Sequence, residues 1–244
     1  MGEDGAVTEL GSPERALLEV HDLTVAYGRV PALSRFSLSV APGAVVAVTG
    51  ESGAGKTTLL RTVSGLLGLH GGRVTEGRVA FDGRSLLALP AARVVGLGVS
   101  YVLEGRRVFR DLTVEENLRA GAFTLRHGSE VRPALERVLD QFPLLARRRT
   151  TQAGYLSGGE QQLLVMARAL VASPRLLLLD DPALGLAPVA IDTVAEVVLG
   201  LARAGTGVVL AERSAGGYGE TGLMARACDA TPVSLERPIP APVP

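Results

Sequence analysis

Apolar and polar positions along the chain fall into two periods, and their order outlines an α/β protein. Residues 16–27 (ALLEVHDLTVAY) alternate apolar with polar side chains, the two-residue period of a strand with one buried face. Gly28 and Pro31 interrupt the run, and residues 33–40 (LSRFSLSV) alternate again. Pro42-Gly43 then marks a turn. The next run, Ala44 to Val48, is apolar throughout, as a strand covered on both faces must be. Two alternating strands ahead of a continuous one predict an antiparallel piece attached to a parallel sheet.

The rest of the chain alternates helix and strand signals. A helix is expected over Lys56 to Leu66, ended by Gly68 and Gly71-Gly72, followed by a short strand over Gly77 to Asp82. A further strand is expected over Val94 to Leu103. Thr113 and Glu116 have the spacing of a capping box and start a helix carrying Leu118 to Leu125. Helices are also expected over Val131 to Phe142, from Ser157 to Ala172, and from Val189 to Ala204. Between the last two lies a buried strand, Leu176 to Leu179, and Gly207 to Glu212 is the last clear strand. Beyond Ser214 the periodicity is lost, and Pro238, Pro240, Pro242 and Pro244 exclude helix and central strand. The expected organisation is a flexible leader over 1–15, one α/β unit over 16–213 with a helical insertion at about 105–165, and an extended Pro-rich tail over 214–244.

Composition narrows the class. The 244 residues are 47% hydrophobic and 20% charged, enough apolar content for a large core. Aromatics make up 4% and tryptophan is absent, so packing rests on aliphatic side chains. Lys+Arg and Asp+Glu both number 25, and this balance gives no argument for nucleic acid or an anionic lipid surface as a partner. Cys228 is the single cysteine, which excludes an intrachain disulfide and fits a reducing compartment. No apolar run approaches the ~18 residues of a membrane helix. Residues 1–13 lack an apolar signal core, so a cytosolic protein is expected.

Candidate chemistry sits in three places. Gly50-Glu51-Ser52-Gly53-Ala54-Gly55-Lys56-Thr57-Thr58 has the G-x-x-x-x-G-K-[ST] spacing of a phosphate-binding P-loop between a strand and a helix. Glycines let the backbone turn tightly, and successive N–H groups at a helix start face an anion. Lys56 has the reach for the β- and γ-phosphates, and the Thr57 hydroxyl can ligate Mg²⁺. Asp180 ends the buried strand, at the crevice where α/β sheets bind ligands, and is a candidate metal residue. Asp181 beside it is a candidate general base, or alternatively a turn residue before Pro182. Third, Leu156-Ser157-Gly158-Gly159-Glu160 reads at the least as a well-capped helix start.

The run LSGGE, its place between the P-loop and the Leu176–Asp180 strand, and the flanking motifs closely resemble the ATP-binding cassette (ABC) ATPases. Tyr101 to Leu118 (YVLEGRRVFRDLTVEENL), LSGGEQQ and Leu176 to Pro188 (LLLLDDPALGLAP) are similar to the ATPase subunits of branched-chain amino-acid importers. The resemblance covers about residues 17–212. It implies a P-loop fold, ATP and Mg²⁺ as ligands, and a cytoplasmic protein peripheral to the inner face of the membrane. Its implied partners are permease subunits, a second ATPase subunit stacked head to tail, and indirectly an extracytoplasmic substrate-binding protein. By position, Tyr27 matches the aromatic that stacks on adenine. Gly50, Ser52, Gly53, Gly55, Lys56, Thr57 and Thr58 match the phosphate loop. Ser157, Gly158 and Gly159 match the segment that closes on ATP held by the opposite subunit. Glu104 matches a position near Mg²⁺ and water that is usually Gln.

Several positions depart from the family pattern. Asp181 stands where a catalytic Glu is usual, with a side chain one methylene shorter. Leu103 replaces a usual Pro, and Ser52 a frequent Asn. Arg213, a third candidate catalytic residue with Asp181 and Glu104, lies where a switch His is common and cannot act as a neutral imidazole. The resemblance therefore implies an ATP-driven importer subunit. A subunit that binds ATP but turns it over slowly, or a soluble ABC ATPase without a transport role, are the alternatives.

Overall fold

A computed structural model describes residues 16–125, 127–213, 223 and 231–235. The expected leader over 1–15 lies outside the described residues, as does most of the tail. Two sheets form the frame. The first is antiparallel and built from β1 (Leu18–Tyr27), β2 (Val30–Val40), β4 (Gly72–Phe81) and the short β5 (Arg84–Ser85), in the order β2-β1-β4-β5. The second is parallel, with β3 (Val45–Gly50), β6 (Val99–Val102), β7 (Leu176–Asp180), β8 (Gly207–Arg213) and β9 (Thr231–Ser234) in the order β6-β7-β8-β3-β9. The alternation read in β1 and β2 corresponds to one buried and one wetter face, and β7 is buried at every position. This is the α/β P-loop architecture expected from the sequence.

Helices α1 (Lys56–Val63), α2 (Ala91–Gly96), α3 (Val114–Gly121), α4 (Gly128–Gln141), α5 (Pro143–Arg147), α6 (Gly158–Leu170) and α7 (Pro188–Arg203) complete the chain, with short 3-10 turns between them. Both capping boxes read from the sequence are formed, Thr113 with Glu116 at α3 and Ser157 with Glu160 at α6. Pro188 occupies the first turn of α7, where its missing N–H has no helical partner to lose. One apolar cluster joins α3, α4, α6 and α7 to one face of the parallel sheet. A second lies between the two sheets and around α1.

Four expectations need correction, the first being the short strand over Gly77 to Asp82, which instead runs from Gly72 to Phe81. The apolar run Val94 to Leu103 is not one strand. Its first half completes α2, the chain turns at Gly98 with φ +101, and only Val99–Val102 is extended. A buried helix face and a buried strand share the same apolar signature over so few residues. The helix at Leu118 to Leu125 ends at Gly121 and continues as a 3-10 turn over Ala122–Thr124. Most consequentially, Thr231–Ser234 is not loose tail but β9, parallel to β3, with Leu235 buried.

Candidate nucleotide site

Close intramolecular contacts hold the P-loop in place. Gly53 and Gly55 have φ of +84 and +103, in the left-handed region that glycine tolerates. A Cβ on Gly55 would strike the Ala32 carbonyl oxygen and the Leu33 side chain, so the loop lies directly on β2. A Cβ on Gly50 would come within 2.6 Å of the Leu235 carbonyl oxygen, at the end of β9. Gly50 therefore lies behind the loop and does not line its pocket. Lys56 starts α1 and curls back, its ammonium donating to the carbonyls of Gly50 (2.8 Å) and Glu51 (2.9 Å). Burial lowers its pKa, opposed mainly by the charge of Asp181.

Asp180 meets the loop from β7. Its Oδ1 accepts from the Thr57 hydroxyl at 3.1 Å, and its Oδ2 from the Tyr101 hydroxyl at 2.7 Å. The carboxyl is 2% exposed. Burial raises its pKa, while the hydrogen bonds from Tyr101 and Thr57 act in the opposite direction. Burial and the neighbouring Asp180 charge likewise push the Tyr101 phenol up. The chain leaves β7 through a left-handed turn at Asp181, φ +44, closed by its N–H donating to Ala211 at 2.9 Å. Asp tolerates this conformation better than most residues, and it aims the carboxylate away from the strand direction.

Arg213, at the end of β8, ties Asp181 and Glu104 together. Its Nε donates to Asp181 Oδ2 at 3.3 Å and its Nη2 to Glu104 Oε1 at 3.4 Å. A cavity of about 380 Å³ opens over this group. Tyr27, Ser52, Gly53, Gly55, Lys56, Thr57, Thr58, Glu104, Asp181 and Arg213 all line it. The Tyr27 hydroxyl lies 3.4 Å from that of Thr58, placing the ring beside the loop that would carry the phosphates. Ser157, Gly158 and Gly159 do not line this cavity. They form the start of α6, where the guanidinium of Arg106 lies against Gly158, leaving no room for a Cβ. Arg106 also donates to the carbonyls of Gly185 (2.6 Å) and Leu184 (3.3 Å).

Sequence reasoning passed over Tyr101 and Arg106. The available signals were a phenol at the end of the strand VSYV and an arginine beside Glu104 in a loop already singled out. Chemically, the Thr57 hydroxyl and the Asp180 carboxylate are hard oxygen donors that face one another, a set suited to Mg²⁺. Among the described residues no three His, Cys, Asp or Glu side chains gather as a metal cluster, so a cation here would draw its other ligands from phosphate and water.

The model of the ABC transporter family matches residues 33–184, more than half of the chain. The chain belongs to this family. It is an ABC ATPase domain, binding and hydrolysing ATP. It is 40% identical over 199 residues to the high-affinity branched-chain amino acid transport ATP-binding protein BraG of Pseudomonas aeruginosa, covering 82% of this chain and 83% of that one. A probable branched-chain amino acid transport ATP-binding protein LivF of Archaeoglobus fulgidus is 36% identical, over 70% of each chain. Proteins named for phosphate import and lipopolysaccharide export also match, at 35% and 30% identity. In structure, the ABC cassette resembles the ADP conformation of MJ1267, an ATP-binding cassette of an ABC transporter. The TM-score is 0.72 at 26% identity over 81% of each chain.

Proposed function

We propose that this ABC subunit powers import of branched-chain amino acids. The observation that carries the enzymatic part is the meeting of Thr57 and Asp180, 123 positions apart, beneath a pocket lined by Lys56 and Asp181. The choice of substrate rests on the likeness to BraG. In this reading Tyr27 stacks on the adenine, and the loop amides with Lys56 hold the phosphates. Thr57 and Asp180 hold Mg²⁺, with Glu104 nearby, and the cation neutralises charge on the phosphates when bound. Asp181 accepts the proton of the attacking water. Ser157, Gly158 and Gly159 lie outside the chain's own pocket, which supports a site completed by a second ATPase subunit. That pair docks on permease subunits at the inner face of the membrane and receives its substrate through a binding protein. No helix among the described residues is long and apolar enough to cross a membrane.

A slower enzyme is the second reading, favoured by the ion pair that joins Asp181 to Arg213. The decisive experiment reconstitutes the chain with its co-purifying permease and measures ATP hydrolysis and uptake of labelled leucine. Asp181→Asn should lower kcat by roughly 10²–10⁴-fold while ATP affinity holds, as expected on removal of a general base. Wild-type turnover in Asp181→Asn would remove that role. Hydrolysis without leucine uptake would remove the substrate.

A further inference from the structure

Tyr101 lies on β6, three positions before Glu104, and its backbone pairs with Leu178 on the neighbouring β7. Its phenol reaches the end of that strand and donates to Asp180 Oδ2 at 2.7 Å. The other carboxylate oxygen accepts from Thr57 at 3.1 Å. Asp180 is 2% exposed, so solvent cannot supply either bond. A carboxylate held at both oxygens cannot rotate about its Cβ–Cγ bond. If Thr57 turns toward a cation, Tyr101 still fixes Oδ2, and only Oδ1 faces the Thr57 side of the site.

We propose that Tyr101 is a positioning residue for the divalent cation. Its hydroxyl locks Asp180 so that a single oxygen is presented next to the Thr57 hydroxyl. Partners that orient a ligating carboxylate in this way contribute to metal affinity even though they never touch the metal. The substitution Tyr101→Phe keeps the ring and removes only the hydrogen bond, so it isolates the hydroxyl. The inference rests on Thr57 and Asp180 being the cation site proposed above.

The test uses the full chain with a non-hydrolysable ATP analogue and Mn²⁺ as the probe, free Mn²⁺ being followed by electron paramagnetic resonance. Wild type, Tyr101→Phe and Asp180→Asn are titrated in parallel, together with the metal-free affinity for the analogue. Tyr101→Phe is expected to weaken Mn²⁺ binding by about 10–100-fold, the cost typical of losing an outer partner of a metal ligand. Its metal-free nucleotide affinity should be unchanged. Wild-type Mn²⁺ affinity in Tyr101→Phe, with Asp180→Asn weakened, overturns the role of the hydroxyl alone. Parallel losses of Mn²⁺ and metal-free nucleotide affinity overturn it as well, because they report a general loosening of β6. Wild-type Mn²⁺ affinity in Asp180→Asn instead overturns the cation site, and Tyr101 loses its role with it.

Discussion

At the residue scale, the site is defined by which oxygen each donor reaches. Arg213 spans two carboxylates, Asp181 and Glu104, at 3.3 and 3.4 Å. Both pairs are long and the guanidinium is half-exposed, although Asp181 is largely buried, and such pairs are worth about 0–1 kcal/mol, so they orient groups without holding them strongly. The arginine nonetheless lies on the carboxylate proposed to take a proton. Arg213→His should free Asp181 and raise kcat on the order of 10-fold while ATP affinity holds, a transition-state effect read by steady-state kinetics. Unchanged or lower turnover would show that the guanidinium aids the reaction. The P-loop residues of the pocket were legible because motif spacing encodes the strand–loop–helix geometry directly, whereas Tyr27, Glu104 and Arg213 came only from the family resemblance. Tyr101 and Arg106 were not legible, because their partners, Asp180 and the Gly158 and Gly185 segments, are adjacent only after folding.

At the element scale, the helical insertion carries its own ion-pair network. Glu115 on α3 accepts from Arg119 one turn on and from Arg149 after α5, at 2.7 and 2.6 Å. Arg149 also reaches Glu136 on α4. The hydrogen bonds from Arg149 and Arg119 hold the Glu115 carboxyl down to about 2. A depressed carboxylate pKa stabilises the fold above the unfolded value, near 4.5, and that contribution fades as pH falls toward 2. Glu115→Gln should therefore lower Tm near neutral pH by a few degrees, the effect of about 1 kcal/mol in a chain of this size. The gap to wild type should close between pH 5 and 2 in thermal melts, and a gap constant over that range would place the effect elsewhere. The caps at Thr113 and Ser157 were readable because both halves of each box lie within four residues. The split of Val94 to Leu103 into α2 and β6 was not, because periodicity alone cannot divide so short an apolar run.

At the scale of the whole molecule, β9 was the element least visible in the sequence. Thr231–Ser234 has no strand signature of its own and is recruited by the free edge of β3. The close approach is recorded at Gly50, whose missing Cβ leaves room for the Leu235 carbonyl. Gly50→Ala should cost about 1–3 kcal/mol by overpacking. That is a fall of roughly 5 °C in Tm. A Tm equal to wild type would mean that β9 yields without cost. The parallel sheet also has a temporal side. The strand that carries the P-loop has β8 on one side and β9 on the other, both supplied by the last part of the chain. During synthesis β3 therefore leaves the ribosome long before either neighbour exists, as an apolar segment with two open edges. Pairing of this kind is non-local and slow. The P-loop strand thus stays unpaired on both sides until β8 and β9 have been made.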